Sequence, residues 1–248
     1  SPGQATTHII KPEPERFPGL AANEAFCLTL AKSIGLSAAD AEWRSAGGRA
    51  FLLVSRYDRN SESGTTRRLH QEDFAQALGV MSLRKYASDG GPVFRDCFDL
   101  VRRTATDPET EILKLIDAAL FNLVIGNADA HAKNFSLLRG DSGEVALAPL
   151  YDLVSTVVWP ELSNRFAMKY GRARALEDMF TGSVERFAAD AGVDFQIVRE
   201  RGASLCNRIM RSVEAGLETS GLADRSAVTA LVALIHDRAG RVLLKLAG

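Results

Sequence analysis

The most constraining feature of this sequence is an apolar segment with helical spacing, Pro108–Ile125, that leads directly into a cluster of polar residues. Pro108 suits the first turn of a helix, where its missing N–H has no partner to lose. Apolar residues then recur at the spacing that places them on one broad helix face: Ile112, Leu115, Ile116, Ala119, Leu120 and Leu123. The pattern predicts a core helix that holds the polar residues after it in a fixed place.

The residues after this helix are polar and ionisable, although apolar segments flank them on both sides. They are Asn127, Asp129, His131, Lys133 and Asn134. Two short strand candidates, 135–138 and 145–148, follow on either side of a glycine-containing turn and predict a hairpin, after which comes Asp152. Turns and helix caps account for one or two of these residues, but burying the whole set without a purpose would be costly. The segment 127–152 is therefore the candidate functional site.

The spacing within this segment suits phosphoryl transfer. This chemistry needs a carboxylate to orient or deprotonate the acceptor hydroxyl, and oxygen ligands to hold Mg²⁺ on the phosphates. In protein kinases the base and an asparagine ligand share one loop with the pattern D-x-x-x-x-N, which Asp129 and Asn134 match. Asp152 stands where a second ligand would follow the hairpin. The spacing of Asp129 and Asn134 alone is a weak signal, but the order of helix, loop, hairpin and Asp152 along the chain is more specific.

The rest of the chain divides into a mixed part and a helical part. In the first part we predict a strand over 7–11, a helix over 23–34 with Asn23 as its cap, a strand over 49–57 and a turn over 60–64. Beyond residue 70 the pattern predicts helices over 71–78 and 93–102, the helix Pro108–Ile125, and further helices from residue 176 onward.

Composition narrows the class of protein. With 30 Lys and Arg against 31 Asp and Glu in 248 residues, the net charge of −1 excludes a chain that binds nucleic acid through bulk positive charge. No apolar run approaches the ~20 residues that a membrane span needs, and residues 1–4 lack the features of a signal peptide. The sequence has three cysteines, which lie far apart: Cys27, Cys97 and Cys206. Their odd number and wide spacing favour reduced thiols and a cytoplasmic protein.

Seven stretches, in the same order along the chain, resemble the C-terminal kinase region of the HipA-like serine/threonine kinases, the toxins of bacterial type II toxin–antitoxin systems. They are residues 7–11, Asn23-Glu24, Arg56-Tyr57-Asp58-Arg59, Gln71-Glu72-Asp73, Lys85-Tyr86, 129–136 and 147–152. The resemblance extends from residue 7 to about residue 156. It implies a two-lobed, protein-kinase-like α+β fold: a small mixed lobe over 1–62, and a larger, mostly helical lobe over 63–248 with a catalytic loop at 127–135 and a metal-binding segment at 149–153.

The resemblance also implies roles for individual residues, with ATP and Mg²⁺ as cofactors. Asp129 is the expected catalytic base, and Asn134 and Asp152 are the expected Mg²⁺ ligands. Lys11 is expected at the ATP phosphates. Glu24 is expected either to pair with Lys11, as in the Lys–Glu pair of kinases, or to be a solvated carboxylate.

The remaining implied contacts are with the nucleotide. Ser55, Arg56 and Tyr57 resemble the hinge that meets adenine through backbone groups and one aromatic face; family members often carry Glu where Ser55 stands. His131 is expected either near the phosphates or as a structural residue that fixes the loop. The other expected contacts are Ala132, Lys133, Asn134, Tyr151 and Asp152.

The sequence also departs from the family. Full-length members carry a glycine-rich loop and a further subdomain upstream of the first strand, and nothing before Thr7 resembles them. We therefore expect the chain to be a fragment, and weakly active if it stands alone.

The function implied is an ATP- and Mg²⁺-dependent serine/threonine kinase toxin that phosphorylates a cytosolic protein to arrest growth; known substrates in the family include an aminoacyl-tRNA synthetase. The expected partner is a small helix-turn-helix antitoxin, HipB-like, through which the protein would contact DNA. Two alternatives stay open. One is a catalytically weak or inactive co-repressor module on DNA, with phosphate contacts from Lys169, Arg172 and Arg174 unless these form a solvated turn. The other is a kinase acting on a small molecule or lipid.

Overall fold

The computed structural model describes residues 5–62, 65–81, 86–87, 90–219, 221–222 and 226–247. Its strands are β1 His8–Pro12, β2 Ala41–Ala46, β3 Arg49–Ser55, β4 Arg59–Glu62, β5 Thr65–Arg68, β6 His70–Asp73, β7 Ser136–Arg139 and β8 Val145–Leu147. Its helices are α1 Leu20–Ser33, α2 Phe74–Ala77, α3 Phe94–Thr104, α4 Pro108–Ile125, α5 Thr181–Ala191, α6 Phe195–Thr219 and α7 Ser226–Ala247. Short 3-10 turns lie at Ala132–Asn134 and Thr156–Val158.

The N-terminal part is a three-stranded antiparallel sheet, in the order β1-β3-β2, with α1 against it. Leu52 and Val54 alternate along β3 and are buried, as expected for a strand with one face on the core. Helix α1 begins three residues earlier than predicted, after Gly19 in the left-handed conformation. The prediction that Asn23 caps this helix is therefore wrong: Asn23 is buried one turn inside, where its side chain binds the backbone of Ser155.

Two further sheets follow: the hairpin β4–β5 and the three-stranded sheet β6-β7-β8. The predicted helix over 71–78 is wrong for its first half, because residues 70–73 pair with β7 as strand β6. Asp73 then caps the one-turn helix α2 by accepting a hydrogen bond from the Gln76 N–H. The predicted hairpin after the polar cluster is present as β7–β8. The predicted turn over 60–64 falls partly on residues 63 and 64, which lie outside the described residues.

The helical part is built around α4, whose bounds are those predicted. Asp107 caps its N-terminus, and α3, α6 and α7 pack around it. The helix predicted over 93–102 is α3, and the helices predicted after residue 176 are α5, α6 and α7. An aromatic cluster fills the space beside α3: Phe94, Phe98, Tyr170 and Phe187.

All three cysteines are buried, and none forms a disulfide. Burial raises the pKa of the Cys27 and Cys206 thiols to about 12, so they stay un-ionised at neutral pH. Of the helices described, none combines the length and the apolar character needed to cross a membrane. The division into lobes at residues 62 and 63 stays a prediction.

Candidate active site

The site begins where α4 ends. Gly126 closes the helix with a φ of 75°, a conformation that suits glycine because it has no Cβ. The Asn127 side-chain amide donates to Asn122 Oδ1 (2.8 Å) and to the Asp152 carbonyl oxygen (3.2 Å), and Asn127 Oδ1 accepts from the Asp129 N–H (3.2 Å). Asn127 therefore ties the loop to the end of α4 and to the segment that carries Asp152.

The loop presents Asp129 to solvent and keeps His131 inside. The Asp129 side chain is 49 % exposed, and its Oδ2 lies 3.9 Å from His131 Nε2. His131 is buried and packs edge-on against Tyr86 at 5.8 Å. This placement favours the structural role for His131 over a contact with phosphates. Thr156 fixes the same loop, since its hydroxyl accepts from the Ala128 N–H (2.9 Å).

Lys11 lies between two carboxylates. Its Nζ is 2.7 Å from Glu24 Oε1 and also donates to Asp152 Oδ1. Burial acts to lower the pKa of Lys11, but the charges of Glu24 and Asp152 outweigh it, so the pKa is raised and the ammonium stays protonated. For Glu24 burial is the largest effect and raises the pKa, although Lys11 opposes it. The predicted Lys11–Glu24 ion pair is thus present.

Asn134 and Asp152 also lie side by side. Asn134 Nδ2 donates to Asp152 Oδ2 (3.3 Å), while Asn134 Oδ1 accepts from the His131 N–H (3.0 Å). Among the described residues, Asp152 is the one non-glycine residue with a positive φ, 52°. Such a conformation is uncommon and costs on the order of 1 kcal/mol. The contacts of Asp152 to Lys11, Asn134 and Asn127 hold it in this conformation.

These side chains suit Mg²⁺. Magnesium takes oxygen ligands, and kinase-type sites hold it with one or two protein ligands and the phosphates of the substrate. Asp152 offers a carboxylate and Asn134 a side-chain amide beside it, whose Nδ2 faces Asp152 and whose Oδ1 accepts from the His131 N–H. Nowhere in the described part of the chain do three or more His, Cys, Asp or Glu side chains gather as a metal site would require. The donor set fits a metal shared with phosphates and not a site built from protein ligands alone.

Two tyrosines lie beside this polar cluster. The rings of Tyr57 and Tyr151 stack at 6.1 Å, and the Tyr151 hydroxyl contacts Ser136 Oγ (2.5 Å) and donates to the Lys133 carbonyl oxygen (2.8 Å). Burial raises the pKa of both phenols, so they remain neutral. Tyr57 and Tyr151 are therefore placed together, beside the polar cluster.

The other residues predicted to contact the nucleotide lie at the end of β3 or just after it, and in the loop after α4. The Ser55 N–H donates to the Asp40 carbonyl oxygen and the Arg56 N–H to that of Thr7, while the Arg56 guanidinium holds Asp58. Ala132 is fully buried inside the loop, and Lys133 is half-buried. Lys85, part of one motif, lies outside the described residues.

Some residues that hold the site together were not predicted from the sequence to act there. Asn23 donates to the Ser155 carbonyl oxygen (3.1 Å) and accepts from the Ser155 N–H (2.9 Å), which joins α1 to the chain just after Asp152. Ser136 orients Tyr151, and Thr156 orients the loop. The signal for Asn23 is only its place in a family motif, since its partners are 132 residues away.

Comparison with known proteins identifies the family. The family model for the HipA-like C-terminal domain matches residues 1–217. The chain belongs to this family. A Sinorhizobium fredii protein named "Putative kinase Y4mE" is 54 % identical over 217 residues, which are 87 % of this chain and 51 % of that protein. The "Serine/threonine-protein kinase toxin HipA" of Shewanella oneidensis MR-1 is 33 % identical over 189 residues, 71 % of this chain and 41 % of that one. The chain thus spans about half the length of these curated relatives.

Solved structures confirm the predicted HipA-like, kinase-like fold. The Shewanella oneidensis HipA in a complex with HipB and operator DNA superposes with a TM-score of 0.88 at 26 % identity, covering 98 % of this chain and 60 % of that one. The Helicobacter pylori proinflammatory kinase CtkA superposes with a TM-score of 0.68 at 14 % identity, covering 97 % of this chain and 88 % of that one. The likeness to CtkA concerns the fold alone.

Proposed function

We propose that this chain is the catalytic region of an ATP- and Mg²⁺-dependent serine/threonine protein kinase of the HipA type. The observation that carries the proposal is the convergence of Lys11, Glu24, Asn134 and Asp152 beside the half-exposed Asp129. A cation, oxygen ligands for a divalent metal and an accessible carboxylate are the groups that phosphoryl transfer requires. Membership of the HipA-like family supports the same activity.

Lys11 would bind the phosphates of ATP, and Glu24 would hold its ammonium in position. Because the ammonium now contacts both Glu24 and Asp152, nucleotide binding requires Lys11 to exchange Asp152 for phosphate oxygens. Glu24 is buried on α1 and can keep its contact throughout. The exchange would free Asp152 to hold Mg²⁺, and Asn134 beside it would be the second ligand. When bound, the metal supplies positive charge that offsets the charge of the transferring phosphoryl group.

Asp129 would accept the proton of the acceptor hydroxyl. Its side chain is accessible, Asn127 accepts from its N–H, and Thr156 accepts from the N–H of the preceding Ala128. Preorganisation of this kind matters because a misplaced base loses the near-attack geometry on which the rate depends. Lys133, on the same loop, would contribute a second cation near the phosphates.

The base of ATP would bind beside Tyr57 and Tyr151. An aromatic face offers stacking to a nucleobase, which is worth about 1–3 kcal/mol. Ser55 and Arg56 would contribute only through backbone atoms that the sheet leaves available, since both N–H groups already have partners.

At the level of the cell, we propose the role of a toxin in a HipA-type module. The partners proposed are a small HipB-like antitoxin and, through it, DNA, because one structural neighbour is a complex of HipA, HipB and operator DNA. The substrate proposed is a cytosolic protein, with an aminoacyl-tRNA synthetase as the first candidate to test, and the location proposed is the cytoplasm.

The deciding test is transfer of labelled phosphate from ATP, with Mg²⁺, by the full gene product in a cytosolic extract. We expect a labelled protein band, and at least about a 100-fold loss of transfer in Asp129→Asn, as for removal of a general base. Asp141→Asn is the matched control, because this carboxylate lies on the β7–β8 turn and contacts Arg67 and Asn60. Transfer by Asp129→Asn at the wild-type rate would overturn the assignment of the base.

The metal assignment has a separate test. Asp152→Ala is expected to lose transfer and Mg²⁺-dependent ATP binding together, because the carboxylate would hold the metal on the phosphates. Equilibrium binding of ATP with Mg²⁺ and with a chelator measures this directly. Normal turnover by Asp152→Ala would remove Asp152 from the metal site.

Two other functions are outcomes of the same experiments. A protein that binds ATP and a HipB-like antitoxin but transfers no phosphate would be a co-repressor module; the HipA–HipB–DNA neighbour is the observation in its favour. Transfer to a lipid or a sugar, with none to protein, would make it a small-molecule kinase.

A further inference from the structure

Asp129 also forms part of a groove that none of the residues proposed to bind ATP lines. The groove has a volume of about 680 Å³, within the range of natural ligand pockets. Phe17 and Phe166 are among its apolar lining residues, and the cations Arg165, Lys169 and Arg174 line it as well. It therefore joins apolar surface and positive charge to the proposed catalytic base.

Positive charge predominates among the residues that line the groove. Asp129 is the only carboxylate among the described residues that line it. Arg165, Lys169 and Arg174 are exposed, and within the described part of the chain no carboxylate forms an ion pair with any of them. Other surface arginines do have such partners: Arg95 contacts Asp190, for example. Three cations against one carboxylate make the groove complementary to an anionic ligand.

The backbone holds these cations beside Asp129. The Ala167 N–H donates to the carbonyl oxygen of Ala128, the residue before Asp129, at 2.8 Å. The Phe166 N–H donates to the Arg174 carbonyl oxygen at 2.7 Å, so the chain from 166 to 174 folds back on itself. Lys169 is exposed between two buried residues, and the hydroxyl of one, Tyr170, donates to the Ala119 carbonyl oxygen on α4 (2.5 Å). The positive surface is thus part of the same framework as the loop.

We propose that this groove is the acceptor site, and that it takes a serine or threonine in an acidic protein segment, with Asp or Glu residues beside the acceptor. This inference rests on the proposed kinase function. The groove contains the proposed base, and the residues proposed to bind ATP lie outside it, so it is where the acceptor hydroxyl would approach. Its apolar walls favour a protein segment over a nucleic acid, whose affinity would come from phosphate contacts along an extended basic surface.

The test uses three synthetic peptides that carry one serine flanked by Asp and Glu, by Ala and Gln, or by Lys and Arg. With the full gene product, Mg²⁺ and labelled ATP, we expect the highest kcat/KM for the acidic peptide. The double variant Lys169→Glu with Arg174→Glu is expected to raise the KM for this peptide about tenfold, as the sum of two surface charge reversals. Its KM for ATP stays unchanged, and its preference moves toward the basic peptide.

Arg172→Glu is the matched control. Arg172 is an exposed cation between Lys169 and Arg174 in sequence, yet it does not line the groove. We expect wild-type kcat and KM from this variant. Thermal unfolding of both variants, monitored by circular dichroism, distinguishes a loss of acceptor binding from a loss of fold.

The outcomes separate this inference from the proposed function. Transfer to all three peptides with equal kcat/KM, or a KM raised as much by Arg172→Glu as by the double variant, overturns the acidic acceptor site and leaves the kinase in place. No transfer to any peptide or to any protein in the extract overturns the kinase, and the acceptor site with it. A labelled RNA oligonucleotide that binds through Lys169 and Arg174, with no preference for acidic peptides, would assign the groove to nucleic acid instead.

Discussion

Asp58 lies between two arginines directly after β3, in the stretch that carries Tyr57. Its carboxylate accepts two hydrogen bonds from Arg56 (2.9 and 2.7 Å) and one from Arg59 (2.7 Å), and its carbonyl oxygen accepts from the Leu69 N–H. Asp58 is 8 % exposed. Burial alone would raise the pKa of Asp58, but the two arginines outweigh it and hold the pKa below its ordinary value of 3.8. The motif Arg56-Tyr57-Asp58-Arg59 thus fixes the position of Tyr57.

Asp58→Asn is expected to lower the free energy of unfolding by about 2 kcal/mol at pH 7, because it removes a buried, charge-assisted acceptor. The pKa of the folded state lies below that of the unfolded state, so the ionised carboxylate stabilises the fold fully above about pH 4. This contribution is lost as the pH falls through the folded-state pKa.

Urea denaturation of wild type and Asp58→Asn from pH 7 to pH 2 measures this dependence. The difference between the two curves should shrink below about pH 4. Asp40→Asn is the control, since the Lys32–Asp40 pair is exposed and should contribute little at any pH. A gap between wild type and Asp58→Asn that stays constant down to pH 2 would contradict the role given to the carboxylate.

Single residues were predictable where a local pattern or a family motif marks them. The Lys11–Glu24 pair was expected and is present, since both residues lie in motifs of the first 25 residues. The positive φ of Asp152 was not predictable, because it depends on Lys11, Asn134 and Asn127 together. Such contacts between distant parts of the chain leave no local signal in the sequence.

At the scale of elements, the sequence predicted α4 correctly and β6 wrongly, and the reason lies in where their signals are. Pro108, the cap Asp107 and a regular apolar spacing are all local, and they fix the bounds of α4 correctly. Residues 70–73 carry no such signal, and pairing with β7, more than 60 residues later, makes them a strand. Tertiary pairing overrides intrinsic preference in short polar segments of this kind.

The end of α4 depends on another distant element. Arg238 of α7 is buried and donates to the carbonyl oxygens of Val124 (3.1 Å) and Leu123 (2.8 Å). Both carbonyls belong to the last turn of the helix; that of Leu123 also accepts from the Gly126 N–H (3.3 Å), whereas that of Val124 would otherwise lack a partner. At Gly126, a Cβ would collide with Val157 and Arg238. Arg238 therefore closes the helix immediately before the loop that carries Asp129.

Arg238→Leu is expected to lower the free energy of unfolding by about 2 kcal/mol, because it leaves the buried Val124 carbonyl unsatisfied and removes one of the two donors to that of Leu123. Phosphate transfer should fall as well, since the loop begins at this helix end. Chemical denaturation and the transfer assay measure the two effects. Arg241→Leu is the control, one turn along α7, where the side chain is exposed and contacts Glu177. Equal stability of both variants would show that the cap contributes nothing.

At the scale of the whole molecule, α7 lies beyond the part of the chain that the family model matches. The family model ends at residue 217, yet α7 packs on α6 and α4 and supplies Arg238 to the C-terminal end of α4. Among its described side chains the helix contributes seven buried apolar residues to the core: Val228, Leu231, Val232, Ile235, Ala239, Val242 and Leu246. Residues outside the family match thus complete the core under the loop that carries Asp129.

A chain that ends at residue 222 is therefore expected to lose its cooperative fold. Burial of a large apolar side chain contributes about 1.5–3 kcal/mol, so the six large buried residues of α7 contribute about 12 kcal/mol, comparable to the whole stability of a typical domain. Thermal unfolding followed by near-ultraviolet circular dichroism should show no sharp transition, and ATP binding should be lost. Leu244→Ala, at a site 74 % exposed, should unfold as the wild type does. A sharp transition at the wild-type temperature in the shortened chain would mean that the core closes without α7, and that Arg238 is not needed to hold the helix end beside Asp129.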